Sequence, residues 1–152
     1  MFRYNKTYTL FYVINFLIFN FTTLILTKLM SLGDISLYLQ PISTLNWKII
    51  FQSTALVKGI AGTANTYIGE YFAHFIFFSL SLLSFSHLLK VANLSKRYTI
   101  FLMLMFCTPS IGIWSSLVGK EAIMIFASCI FLSNMIRLYR GEIWNTWSFL
   151  LG

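Results

Sequence analysis

Two stretches of this chain run uncharged for the length of a membrane crossing. Thr7 to Thr27 gives 21 residues without an acidic or basic side chain, and Tyr71 to Leu89 gives 19. At about 1.5 Å of helical rise per residue, each run matches the roughly 30 Å hydrocarbon thickness of a bilayer. The composition agrees: 58% of the 152 residues are hydrophobic and 10% charged, against about 45–50% apolar and about 25% charged in soluble domains. Eleven basic and four acidic side chains cannot solvate the surface of a water-soluble fold of this size. The pattern predicts an all-α polytopic membrane bundle forming a single membrane domain. It excludes a disordered tail, a coiled coil and, with only Cys107 and Cys129, a disulfide scaffold. Both cysteines sit in apolar runs and are expected to pack there as ordinary core residues.

The formal net charge of +7 does not point to nucleic acid. The longest basic run is the pair Lys96 and Arg97, and no aromatic-interleaved basic patch accompanies it. The basic residues cluster at the ends of apolar runs, where they can snorkel to headgroups.

Reading from charge to charge gives four spans, about 7–30, 67–89, 96–108 and 115–138. A long first outer loop, 31–66, joins the first two. The tail, 139–152, is either cytoplasmic or the start of a further span. The stretch from Tyr98 to Leu138 is too long for one helix and is broken by Pro109, Gly112, Gly119 and the pair Lys120 and Glu121. It reads as a hairpin with a loop over 108–116 that dips into the membrane and a return helix from near Ser115. A kinked single helix is the alternative, leaving about sixteen residues for the next span before Arg137. Within the outer loop, Leu45, Ile49, Leu56 and Ile60 share a sector of about 60° on a helical wheel and predict an interfacial helix.

With four spans, Arg3, Lys6, Lys90, Lys96, Arg97, Arg137 and Arg140 fall on one side and Lys28, Lys48, Lys58 and Lys120 on the other. The basic excess predicts that both termini are cytoplasmic and that the first span is an uncleaved signal anchor. The acids sort the other way: Asp34, Glu70 and Glu121 lie at or near the outer boundary, and Glu142 alone lies inside.

In the second span Glu70, His74, Ser81 and Ser84 fall within about 40° of one line along the helix. Polar groups are costly in hydrocarbon, so this stripe is expected to face the bundle. Glu70 and His74 could pair or share a proton. Two ligands at i and i+4 without a third make a weak metal site. Asn15 and Thr22 in the first span are expected to be helix contacts. Gly119-Lys120 fails as a phosphate loop, because Gly112 stands seven positions upstream and Glu121 replaces the Ser or Thr that would bind magnesium. What remains is a helix start with free backbone donors and a lysine, a place where an anionic group is favoured.

The run Pro109-Ser110-Ile111-Gly112-Ile113-Trp114-Ser115-Ser116-Leu117-Val118-Gly119-Lys120-Glu121 resembles a segment of multi-spanning bacterial proteins of surface polysaccharide synthesis. These are the O-antigen-type polymerases and lipid-linked-sugar glycosyltransferases. Gly33-Asp34 followed by Tyr38 is similar to the acidic motif of their first outer loop. The resemblance implies transfer of a sugar or repeat unit from a polyprenyl phosphate or diphosphate carrier to an acceptor at the outer face of the cytoplasmic membrane.

Such transfer needs a carboxylate to deprotonate the attacking hydroxyl and a cation or helix end to stabilise the departing phosphate. Asp34 is the candidate base, Lys120 the candidate phosphate ligand, and Glu121 could orient Lys120 or bind a divalent metal. Tyr38, Glu70, His74, Ser110, Trp114, Ser115 and Ser116 are the candidate substrate-binding residues. The relatives are longer, so a front portion of such a protein is one expectation. The rival is a small non-enzymatic four-span protein that serves as an accessory subunit of another membrane complex, with the polar stripe as its interface.

Overall fold

The computed structural model describes residues 6–29, 35–40 and 53–141. Every regular element among them is helical. The first, α1, is Lys6–Leu29, 24 residues long, and widens into a π-helical turn over Thr22–Leu26. Threonine hydroxyls bracket that turn by bonding back to carbonyls four residues earlier, Thr23 to Phe19 at 2.8 Å and Thr27 to Thr23 at 2.6 Å. This back-bonding competes with the regular ladder and loosens it locally.

A single turn, α2 (Ile35–Tyr38), and a 16-residue helix, α3 (Ser53–Ile68), follow. The Asn65 amide donates to Leu39 O at 3.0 Å and fastens the two together. Of the interfacial helix expected over 45–60, the part before residue 53 lies outside the described residues. The observed helix continues to Ile68 and meets α4 (Glu70–Ala92, 23 residues) across one residue, Gly69. The second span thus starts at Glu70 rather than near residue 67. Gly69 has φ 91°, and only glycine takes that conformation without strain, so the break falls there. At its far end α4 stops at Asn93, in the left-handed region at φ 46°, which asparagine tolerates better than most residues.

The expected loop over 108–116 is instead helical. Helix α5 (Lys96–Phe106) and helix α6 (Pro109–Ser116) form a pair bent by 64°. Proline explains both the break and the restart. Thr108, before it, is extended at ψ 148°, and Pro109 occupies the first helical turn, where a missing N–H costs nothing. The true turn is 117–119, and α7 (Lys120–Tyr139, 20 residues) begins five positions after Ser115 and continues past Arg137. The bent pair fits either a broken span or a re-entrant loop, and the return helix is longer than the kinked alternative allowed. Helices α1, α4 and α7 are each long and apolar enough to cross a membrane, and the bent pair makes a fourth candidate.

Helices α4 and α7 pack side by side with their N-termini at the same end. Ser81 Oγ donates to Ala122 O at 3.3 Å, and at the far end Arg140 donates to Val91 O and Ala92 O, the last carbonyls of α4. Aromatic rings join α1 to α4: Phe19, fully buried, stacks on Phe78 with centroids 4.7 Å apart and meets Tyr71 edge-on. Tyr71 Oη donates to Asn20 Oδ1 and Tyr12 Oη to Ser86 Oγ.

The core divides in two. Tyr38, Val57, Ala61, Ala73, Phe77, Val118 and Ala122 pack at the Glu70 end. Phe11, Phe85, Leu89, Met103, Phe106 and Cys129 pack at the Lys96 end. The inward stripe is as expected for His74, Ser81 and Ser84, all buried, while the Glu70 side chain is mostly exposed. Asn15 is a helix contact, donating to Phe11 O and Cys107 Sγ. Thr22 is buried with its hydroxyl unpartnered among the described residues. Leu10, Leu17, Leu83, Phe101, Leu104 and Met124 stand outward, as side chains that face acyl tails should.

Candidate functional site

The Glu70 end of the bundle collects the chemistry. Leu117 and Gly119 are extended, and Leu117 and Val118 are both 1% exposed, so the 117–119 turn is sealed beneath the start of α7. Its polar tie to α4 is the Val118 N–H, which donates to His74 Nδ1 at 2.9 Å. A nitrogen that accepts carries no proton, so the neutral ring keeps its hydrogen on Nε2. That Nε2 is buried and has no hydrogen-bond partner among the described residues. Among the described residues the nearest acid is Glu70, whose Oε1 stands 3.7 Å away, beyond hydrogen-bonding reach.

Lys120 and Glu121 open α7, whose capping residue, Gly119, supplies no side-chain bond. The first-turn amides therefore receive no bond from the capping residue's side chain. Lys120 is half-buried and Glu121 exposed. The Glu121 carboxylate bends back over the turn so closely that a Cβ on Gly119 would collide with Oε2 at 2.5 Å. That oxygen is the far end of an exposed side chain that can move aside, and the backbone angles of Gly119 are open to any residue.

The expected site residues divide into groups. Glu70, His74, Lys120 and Glu121 share this end of the bundle. Tyr38 joins them from the first loop by packing in the same cluster as Val118 and Ala122. Asp34 lies outside the described residues. Ser115 and Ser116 are buried with their hydroxyls given to Gly112 O, at 3.1 and 2.5 Å, so they close the last turn of α6 rather than line a surface. Ser110 and Trp114 are exposed on the outer side of α6, four positions apart on one face, and are not brought to His74.

Sequence reasoning missed Val118, whose contribution is a backbone N–H that no side-chain pattern reports. It also missed Asn65, a polar residue in a helix otherwise rich in Gly, Ala and Thr. Among the described residues no group of three or more His, Cys, Asp or Glu could hold a metal ion. A divalent ion at Glu121 would have to draw its other ligands from elsewhere.

No protein-family model, curated protein or solved structure matches the chain. The fold itself defines an all-helical polytopic membrane bundle.

Proposed function

We propose that this protein lies in a bacterial cytoplasmic membrane with its Glu70–Lys120 end outward, and that this end binds the phosphate of a polyprenyl-linked sugar. The activity is that of the polysaccharide polymerases and lipid-linked-sugar glycosyltransferases that the 109–121 segment resembles. The observation that carries the reading is the convergence at one end of the bundle. Tyr38 of the first loop and Val118 share one buried cluster, Val118 is tied to His74 beside Glu70, and Lys120 opens α7 two residues after Val118. A phosphate is stabilised at such a place because helix-start N–H groups and a lysine both favour negative charge.

In this reading Lys120 and the first turn of α7 hold the phosphate as the sugar leaves it. Asp34 takes the proton of the attacking hydroxyl, and Glu121 limits where the Lys120 side chain can go. The orientation follows from the basic excess at the Lys96–Arg140 end. A purely accessory role would use the polar stripe of α4 as an outward interface, yet Ser81 and Ser84 spend their hydroxyls inside the chain, on Ala122 O and Ser81 O.

The test is complementation in a host whose surface polysaccharide depends on this chain. Lys120→Ala and Asp34→Ala should each shorten the glycan chains at unchanged protein level. Unaltered chain length in both would overturn the reading.

A further inference from the structure

His74 spends one ring nitrogen on a backbone amide 44 positions away in the sequence. A leucine or methionine of similar bulk would fill the same buried space without the desolvation cost of an imidazole. What those residues cannot do is accept a hydrogen bond. Val118, at 1% exposure, has no water to turn to, and its N–H points into α4. Only Gly119 separates Val118 from Lys120, and it is fully extended, at φ −176° and ψ 170°. Fixing the Val118 amide therefore fixes the entry into α7 and the point from which Lys120 departs.

We infer that His74 is a positioning residue: through the Nδ1 bond to Val118 it sets where α7 begins, and so where Lys120 and the first-turn amides stand. The other ring nitrogen makes the arrangement adjustable. Its Nε2–H has no acceptor among the described residues, and Glu70 Oε1 waits 3.7 Å away on a mostly exposed side chain that can swing. When Glu70 closes on Nε2 it locks the tautomer that leaves Nδ1 free to accept. When Glu70 turns to solvent, or to a ligand, the clasp loses that support. The inference takes the importance of Lys120 from the proposed function, but the clasp itself can be read without it.

Asparagine and glutamine separate the two nitrogens. The Asn amide oxygen falls near the place of Nδ1 and can accept from Val118, whereas the Gln amide reaches the place of Nε2 and leaves Val118 unpaired. The full chain, with Cys107 and Cys129 replaced by Ala and Lys120→Cys as the reporter, is labelled in intact membranes with an impermeant maleimide. His74→Asn should label position 120 within about twofold of the parent. His74→Gln and His74→Leu should label it about fivefold faster, the ratio expected when one buried hydrogen bond is lost. Equal rates in all three variants, or Asn behaving as Leu does, would overturn the inference.

A second measurement needs no change at His74. In the His87→Gln chain, with ring-15N histidine in lipid bilayers at neutral pH, the remaining imidazole should be neutral, with a protonated Nε2 and a bare, hydrogen-bonded Nδ1. A proton on Nδ1 would sink the clasp even if the substituted chains fail to fold. The two proposals also part cleanly. If Lys120→Ala leaves the glycan unchanged while the labelling order holds, the function falls and the positioning stands. If Lys120→Ala shortens the glycan while Asn and Leu at position 74 label alike, the reverse is true.

Discussion

Gly112 lies directly against Ile18: a Cβ built on it would sit 3.2 Å from Ile18 Cγ2 and 3.5 Å from Cδ1. The glycine is what lets the short helix α6 press its backbone onto α1, in the manner of small residues at membrane helix contacts. Gly112→Ala gains about 0.5 to 1 kcal/mol of helix propensity but forces the contact apart, at about 1 to 3 kcal/mol. A net loss of about 0.5 to 2 kcal/mol is expected in reversible unfolding from bicelles. In an Ile18→Ala background the clash is gone and the same change should stabilise. A loss of equal size in both backgrounds would refute the contact as its cause.

Gly69 poses the opposite case. Nothing lies within 4 Å of its missing Cβ, so sterics allow a side chain, and the only obstacle is φ 91°. With ψ at 163° the residue lies in a region that essentially only glycine occupies, so Gly69→Ala and Gly69→Asn should each cost about 1 to 3 kcal/mol through the backbone alone. The break between α3 and α4 would be under strain, and proteolysis near residue 69 would report it. Equal stability of the parent, Gly69→Ala and Gly69→Asn chains would show that the angle is not what holds the turn.

The sequence revealed spans better than joints. Charge-free runs marked α1 and α4 because hydrocarbon excludes charge over a fixed length, and that length belongs to the bilayer rather than to the fold. The joints depend on single residues whose effect is conformational. Pro109 can end a helix or start one, and only the extended backbone at Thr108 decides for a start, so 109–116 reads equally as loop or as helix. The site was partly legible for the same reason. His74 and Glu70 announce themselves as polar residues on an apolar helix, but the group His74 actually holds is a main-chain N–H, identical in every residue but proline. Ser115 and Ser116, conspicuous in the sequence beside Trp114, turned out to serve the Gly112 carbonyl.

Phe19 is the ring on which α1 meets α4, touching Phe78, Phe75 and Tyr71 with centroids between 4.7 and 5.7 Å away. In water its removal would cost about 3 to 5 kcal/mol, much of it from hydrophobic transfer. In a bilayer the separated helices meet lipid instead of water, so only lost packing and the cavity remain. Phe19→Ala should cost about 1 to 3 kcal/mol, and Phe19→Leu less than half of that. The check is unfolding of the purified chain in bicelles. A full soluble-core penalty for Phe19→Ala would mean that water reaches this interface when it opens.

The direction of the bundle is open to a chemical readout. Lys96, Arg97, Arg137 and Arg140 stand at one end, and Glu70, Lys120 and Glu121 at the other. Because α4 and α7 are parallel, one orientation fixes both helices at once. Single cysteines at positions 67 and 121, in a chain lacking Cys107 and Cys129, should react with an impermeant maleimide added outside spheroplasts. A cysteine at position 97 should react only after the membrane is opened. Tyr67 and Glu121 are exposed, so burial would not mask the result. Labelling of position 97 from outside would invert the bundle, put the Lys120 end in the cytoplasm, and leave a carrier-linked sugar on the outer leaflet out of its reach.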